Sequence, residues 1–235
     1  MVVAASPQLP LGLTLNDSAR FDNFHAGPNA ELVEALRQCA GGDCGAVLYL
    51  WGRRGSGKTH LLQAVCREAD RRGRRAAYLP LGEAGNWPVG MLEGLDALDL
   101  VCLDDAGSVA GLPDWQEGLF HLFNRLQARG GTLVAAGDKR PAELGLLADL
   151  ASRLGWGPVY PLKALDDAQR LQALQLRARG RGLELPAETG RYLLRRHPRD
   201  LPALCALLDR LDAASLAAQR RLTIPFVREV LARRG

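Results

Sequence analysis

Apolar positions recur along this chain in two different rhythms. Leu32, Val33, Leu36 and Cys39 lie at helical spacing, and Gly41-Gly42 closes that segment. The next stretch, AVLYLW at 46–51, is apolar without interruption and of strand length. Similar runs follow in RAAYLPL (75–81), DLVCLDD (99–105), TLVAAG (132–137) and the short VYPLK (159–163). Continuous rather than alternating hydrophobicity predicts strands covered on both faces, as in a parallel sheet. Between the runs lie helical patterns at 59–73, 114–131 and 141–155, and a Gly/Pro-rich connection, GEAGNWPVG. From about residue 164 only the helical rhythm remains, in about four segments. Asp166 stands three residues before Gln169 at the start of the first, the arrangement of a capping box.

Strands alternating with helices argue a doubly wound parallel α/β sheet of five strands flanked by helices, followed by a small all-helical domain. The predicted boundaries are a tail over 1–19, the α/β domain over 20–163 and the helical domain over 164–235. In the tail, Leu9, Leu11, Leu13 and Leu15 alternate behind Gln8. Such a pattern suits an edge strand, where Pro10 is tolerable. It equally suits an extended ligand whose leucines fill another protein's pockets.

Composition narrows the class. The 235 residues are 47% apolar, enough for a packed core. No apolar run nears the roughly 18 residues that span a bilayer, and MVVAASPQLP lacks a basic region before an apolar one. A cytoplasmic protein with no membrane association is expected. The net charge of +4 points to acidic partners. It is carried mostly by arginine, with lysine only at 58, 139 and 163. Cys39, Cys44, Cys66, Cys102 and Cys205 are odd in number and form no CxxC pair. Cys39 and Cys44 could join a histidine around a metal, but small buried thiols in a reducing compartment are the expectation.

The chemistry concentrates at GRRGSGKT, 52–59, which fits G-x-x-x-x-G-K-[ST] between a strand and a helix. Gly52, Gly55 and Gly57 let the backbone turn its N–H groups toward phosphates. Lys58 brings positive charge to the β/γ-phosphates, and the Thr59 hydroxyl can ligate Mg²⁺. Ser56 and His60 complete the expected nucleotide-binding stretch. Asp104 and Asp105 end the third apolar run, at the carboxyl edge where α/β sites lie. Asp104 would hold Mg²⁺ through water, and Asp105 would polarise the attacking water. Its short side chain suits weak hydrolysis at most. Asp138, after the fourth run, could orient water or read a γ-phosphate, or simply close a turn. On spacing alone Arg153 reads as a surface charge.

In order and rough spacing, FDNF…GPNAEL, GSGKTHLLQA, LDD, GDKRP and SRLGWG resemble the AAA+ ATPase domain of the bacterial initiator family, DnaA, over residues 20–235. GKTHLL and SR-x-x-WG are more specific than a generic P-loop. With the sequence stopping at Gly235, the expectation is a protein without the family's DNA-binding domain and without its long N-terminal domain. With LADLASRLGWG and LTIPFV, it is similar to the Hda-like regulatory branch of that family. The resemblance implies that Arg153 is an arginine finger acting in trans, which overrides the surface reading. It implies that Arg199, in HPRDLPAL, reaches from the lid to this chain's own phosphates. It also implies that Gln8, Leu9, Leu11 and Leu13 bind the sliding clamp (the DNA polymerase III beta subunit), with Gly12 where proline is usual.

The expected function is negative regulation of replication initiation. The chain would dock on the DNA-loaded clamp and promote hydrolysis of ATP bound to DnaA, its own ADP or ATP with Mg²⁺ setting conformation. Partners would be the clamp, DnaA and a second copy, with DNA reached only through the clamp, at the nucleoid. The alternatives are a helicase-loader or transposition-helper-like ATPase acting on DNA, and a non-catalytic adaptor.

Overall fold

The computed structural model describes residues 19–196 and 201–232. Strands β1 (Val47–Trp51), β2 (Ala76–Pro80), β3 (Leu100–Asp104), β4 (Thr132–Gly137) and β5 (Val159–Pro161) form one parallel sheet in the order β2-β3-β4-β1-β5. Helices α1 (Ala30–Gly41) and α2 (Lys58–Arg71) flank β1 in the chain; α3 (Pro113–Ala128) leads into β4 and α4 (Ala148–Leu154) into β5.

The uninterrupted apolar runs are explained by two cores. Val47, Tyr49, Val101, Leu103, Leu133 and Ala135 face Trp115, Leu119, Leu122 and Phe123 of α3. The alternate residues Leu48, Leu50, Leu100, Cys102, Val134 and Ala136 face α1 and α2 through Leu32, Leu36, Leu61, Leu62 and Val65. The central strands β1, β3 and β4 therefore bury both of their side-chain sets, at about 1.5–3 kcal/mol per large aliphatic side chain, whereas the edge strands β2 and β5 are only partly covered.

The register sets Trp51 beside Gly137, so the loop after β1 and the turn after β4 emerge side by side. Tyr49 Oη donates to Lys139 O at 3.0 Å. A β-carbon on Gly137 would run into that same hydroxyl, which requires glycine there.

One element departs from the sequence reading. The single helix expected over 141–155 is a 3₁₀ turn, Pro141–Glu143, followed by the short α4. Between them Gly145 adopts φ +70°, a left-handed conformation that ends helical propagation. The cysteine expectation also changes. Cys39 and Cys44, at the end of α1 and in the turn beyond it, form a disulfide, whereas Cys66 and Cys102 are buried free thiols. Among the described residues no cluster of three His, Cys, Asp or Glu could hold a metal, and no helix is long and apolar enough to cross a membrane.

The helical region comprises α5 (Asp167–Arg179), α6 (Ala187–Arg196), α7 (Leu201–Ala218) and α8 (Ile224–Ala232). Its own core holds Leu174, Leu193, Leu208, Leu211, Phe226 and Val227. The predicted capping box opens α5: Gln169 N donates to Asp166 Oδ1 (2.8 Å) and Asp166 N to Gln169 Oε1 (3.0 Å). Just before it, the Asn29 side chain pairs with the Lys163 backbone in both directions, at 3.0 and 2.7 Å.

Candidate nucleotide site

The loop 52–57 runs from β1 straight into α2. Gly57 has φ +104°, and the Phe24 ring fills the space a β-carbon would take, 2.9 Å away. Conformation and contact both demand glycine. Lys58 is buried; its Nζ donates to Gly52 O at 2.8 Å and Arg53 O at 3.2 Å, so the ammonium lies across the loop. The Ser56 hydroxyl is buried and has no hydrogen-bond partner among the described residues.

At the carboxyl end of β3, Asp104 is 2% exposed. Its Oδ2 accepts from Thr59 Oγ1 at 2.6 Å and from Tyr78 Oη at 2.9 Å, and its Oδ1 from Asp105 N at 3.0 Å. Three donors thereby satisfy a buried carboxylate that would otherwise be costly. Tyr78 reaches it from β2, and burial and the Asp104 charge hold the phenol well above its usual range. Asp105 has φ +53°, outside the conformations non-glycine residues prefer. Burial first, then the neighbouring Asp104 charge, raises its carboxyl above the ordinary value, against the pull of Lys58 and Arg54.

The sheet order sets β4 between β3 and β1, so Asp138 follows the strand lying between the loop and Asp104. Asp138 raises both Asp105 and the buried Tyr49 through its charge. The sequence-predicted Lys58, Thr59, Asp104, Asp105 and Asp138 are thus brought to one edge of the sheet. A hydroxyl and a carboxylate are hard oxygen donors of the kind Mg²⁺ takes alongside phosphate oxygens and water, and Ser56 offers a further donor. Thr59 and Asp104 fit that role.

His60 behaves differently from its neighbours. Its ring stacks on Phe24 (centroids 5.6 Å, 22°), and Nε2 lies 2.9 Å from Arg20 O. Nδ1 lies 2.7 Å from Arg177 Nη2 on α5. An arginine can only donate, so Nδ1 accepts and Nε2–H donates. Burial and then the Arg177 charge lower the imidazole to about 4, which keeps it neutral. The structure aims His60 at the lid rather than at the loop.

Arg153 lies in the last turn of α4, among the rings of Trp156 (Cζ to centroid 4.9 Å), Phe120 (5.7 Å) and Phe123 (5.8 Å). Gln116 on α3 joins two turns around it: its Nε2 donates to Ala110 O at 3.1 Å and its Oε1 accepts from Leu147 N at 2.6 Å, just before α4. Arg199 and Gln8, Leu9, Leu11 and Leu13 lie outside the described residues.

The contacts of Tyr78, Phe24 and Arg177 do not stand out in the sequence. Tyr78 carries a faint signal, as the one polar group in AAYLP. Phe24 closes the FDNF motif, yet neither it nor Arg177 signals its partner in the sequence, because the fold alone sets those contacts.

A P-loop, a carboxylate-tipped β3, β4 between them and a helical lid define an AAA+ protein. Residues 90–160 match the family model for the bacterial DnaA ATPase domain, and residues 167–231 that for the lid domain of Hda. Domain III of the Thermotoga maritima replication initiation protein DnaA superimposes with TM-score 0.78 at 24% identity, covering 93% of this chain and 98% of that one. AMPPCP-bound DnaA from Aquifex aeolicus gives TM-score 0.68 at 27% identity, over 83% of this chain and 65% of that one. The Thermotoga maritima RuvB Holliday junction branch migration motor shares the fold, with TM-score 0.64 at 16% identity over 91% and 73%. The chain is an Hda/DnaA-related AAA+ protein, with a DnaA-like ATPase domain and an Hda-type lid.

Proposed function

We propose that this DnaA-related regulator is a negative regulator of replication initiation. It docks on the DNA-loaded sliding clamp through Gln8, Leu9, Leu11 and Leu13 and offers Arg153 to ATP bound on DnaA. The observation that carries the reading is Arg153 itself: its guanidinium lies against three rings, one of them the exposed Trp156. A guanidinium delivered to a transferring phosphoryl group raises hydrolysis by roughly 10³- to 10⁵-fold.

The chain's own site binds ADP or ATP. Gly52 opens the loop with its N–H held by Gly137 O, Gly55 and Gly57 present N–H donors, Ser56 offers its hydroxyl, and Lys58 exchanges its loop carbonyls for phosphate oxygens. Mg²⁺ bound by Thr59 and Asp104 would neutralise phosphate charge. Asp138 and the lid residue Arg199 report which phosphates are present. Asp105 supports weak turnover at most, so this nucleotide sets conformation rather than flux.

The test is hydrolysis of DnaA-bound ATP with clamp-loaded DNA, comparing the parent with Gln8→Ala and Arg153→Ala. Each variant is expected to lose at least about tenfold in stimulation. Parental stimulation by both would end the proposal. Clamp pull-down after deleting residues 1–15 checks the docking step; undiminished capture would refute it.

A further inference from the structure

We infer that Trp156, with Phe120 and Phe123, is a positioning residue that presents Arg153 edge-on to a phosphate group of another AAA+ subunit. The inference rests on the arginine-finger reading above and adds what prepares the finger. The three rings are graded in depth. Phe123 is 1% exposed and anchored in the core under α3, Phe120 is half-buried, and Trp156 is 58% exposed. Phe120 and Phe123 stand three residues apart on one helix face, and Phe123 meets Trp156 with centroids 6.1 Å apart. Together they form a slot reaching from the core to the surface, and Arg153 occupies it.

Stacking engages the flat faces of a guanidinium and leaves its in-plane N–H donors for other partners. The Arg153 side chain makes no ion pair or hydrogen bond among the described residues. It is therefore held by groups that do not compete for the edge a phosphate needs. A carboxylate partner would occupy that edge and have to be displaced. Restricting the side chain before docking lowers the ordering cost of reaching the partner's phosphates. The exposed indole adds an apolar surface that would exclude water once another surface covers it.

A Trp156 that merely covers the core would change stability and leave the delivered rate alone. Positioning makes a different forecast. Stimulated hydrolysis of DnaA-bound ATP is measured against concentration of this protein for the parent, Trp156→Ala, Trp156→Phe and Arg153→Ala. Trp156→Ala should lower the maximal rate roughly tenfold, with the half-saturating concentration within about twofold of the parent. Trp156→Phe should restore most of that rate. A Trp156→Ala rate equal to the parent's, or recovered by adding more protein, would overturn the inference.

The Arg153 Nε–H resonance gives a readout independent of DnaA, identified by its absence from Arg153→Ala. Ring currents should displace it in the parent and release it in Trp156→Ala. An undisplaced parental signal would overturn the slot even if Arg153 proves essential. Conversely, if Arg153→Ala stimulates normally while the resonance is displaced, the slot stands and the finger role in this protein falls.

Discussion

Arg177 Nη2 on the first lid helix lies 2.7 Å from Nδ1 of His60, the residue after Thr59. One imidazole thereby joins the lid to the helix that begins at the P-loop, and its other nitrogen reaches Arg20 O. The link requires a neutral ring.

That requirement predicts an acid-sensitive fold. The folded imidazole titrates at about 4 against 6.5 for the ordinary group. Between those values the unfolded chain binds the additional proton, so this contribution is fully present above about pH 6.5 and is lost as pH falls toward 4. From pH 7 to pH 5 the loss amounts to about 2 kcal/mol. Thermal unfolding should show the parent falling by about 4–8 °C more than His60→Gln over that interval.

Nucleotide affinity should separate the two P-loop side chains. Lys58→Met removes the buried ammonium lying across the loop, and titration with a fluorescent ADP should show binding on the order of 100-fold weaker. Thr59→Ala should weaken binding only when Mg²⁺ is present. In EDTA, Thr59→Ala and the parent should coincide, because the hydroxyl's assigned partner is the ion.

Tyr49 and Gly137 should behave as a unit. Gly137→Ala drives a methyl group into the Tyr49 hydroxyl and should destabilise by about 1–3 kcal/mol in urea unfolding. Tyr49→Phe forfeits the bond to Lys139 O, about 1 kcal/mol. The double variant should cost clearly less than the sum, since removing the hydroxyl opens the space the methyl needs.

The disulfide makes a chemical prediction. Alkylation without reductant should spare Cys39 and Cys44 and, under denaturation, modify Cys66 and Cys102. Closing a loop between cysteines five residues apart stabilises by about 2 kcal/mol, so dithiothreitol should lower Tm by several degrees.

Strand positions are legible because a strand buried on both faces leaves a short apolar run that few other elements produce, as Val47–Trp51 and Thr132–Gly137 illustrate. The P-loop and the Asp166–Gln169 box are legible because their partners are local. Over 141–155 the periodicity misleads, because Leu144, Leu147 and Leu150 keep helical spacing across Gly145. Leu147 in fact stands 45% exposed just before α4, and Gly145 breaks the rhythm through its backbone. The Cys39–Cys44 bond depends on how tightly Gly41-Gly42 turns the chain, which spacing alone does not set. Adjacency to Thr59 assigns His60 to phosphate, but its direction depends on Arg177, distant in sequence. Asp104 is recognisable at the end of its apolar run, whereas its second donor, Tyr78, becomes visible only once β2 lies beside β3.

Gln116 gives the molecule a rigid strut. One end of its amide grips the turn that follows Asp105, and the other grips the backbone where the helix of Arg153 begins. The amide is 4% exposed, so neither grip can be traded for water. Sliding one turn without the other would strand a buried polar group, at about 1–3 kcal/mol. The acidic edge beside the P-loop and the helix that carries Arg153 therefore travel together, like two hands on one bar.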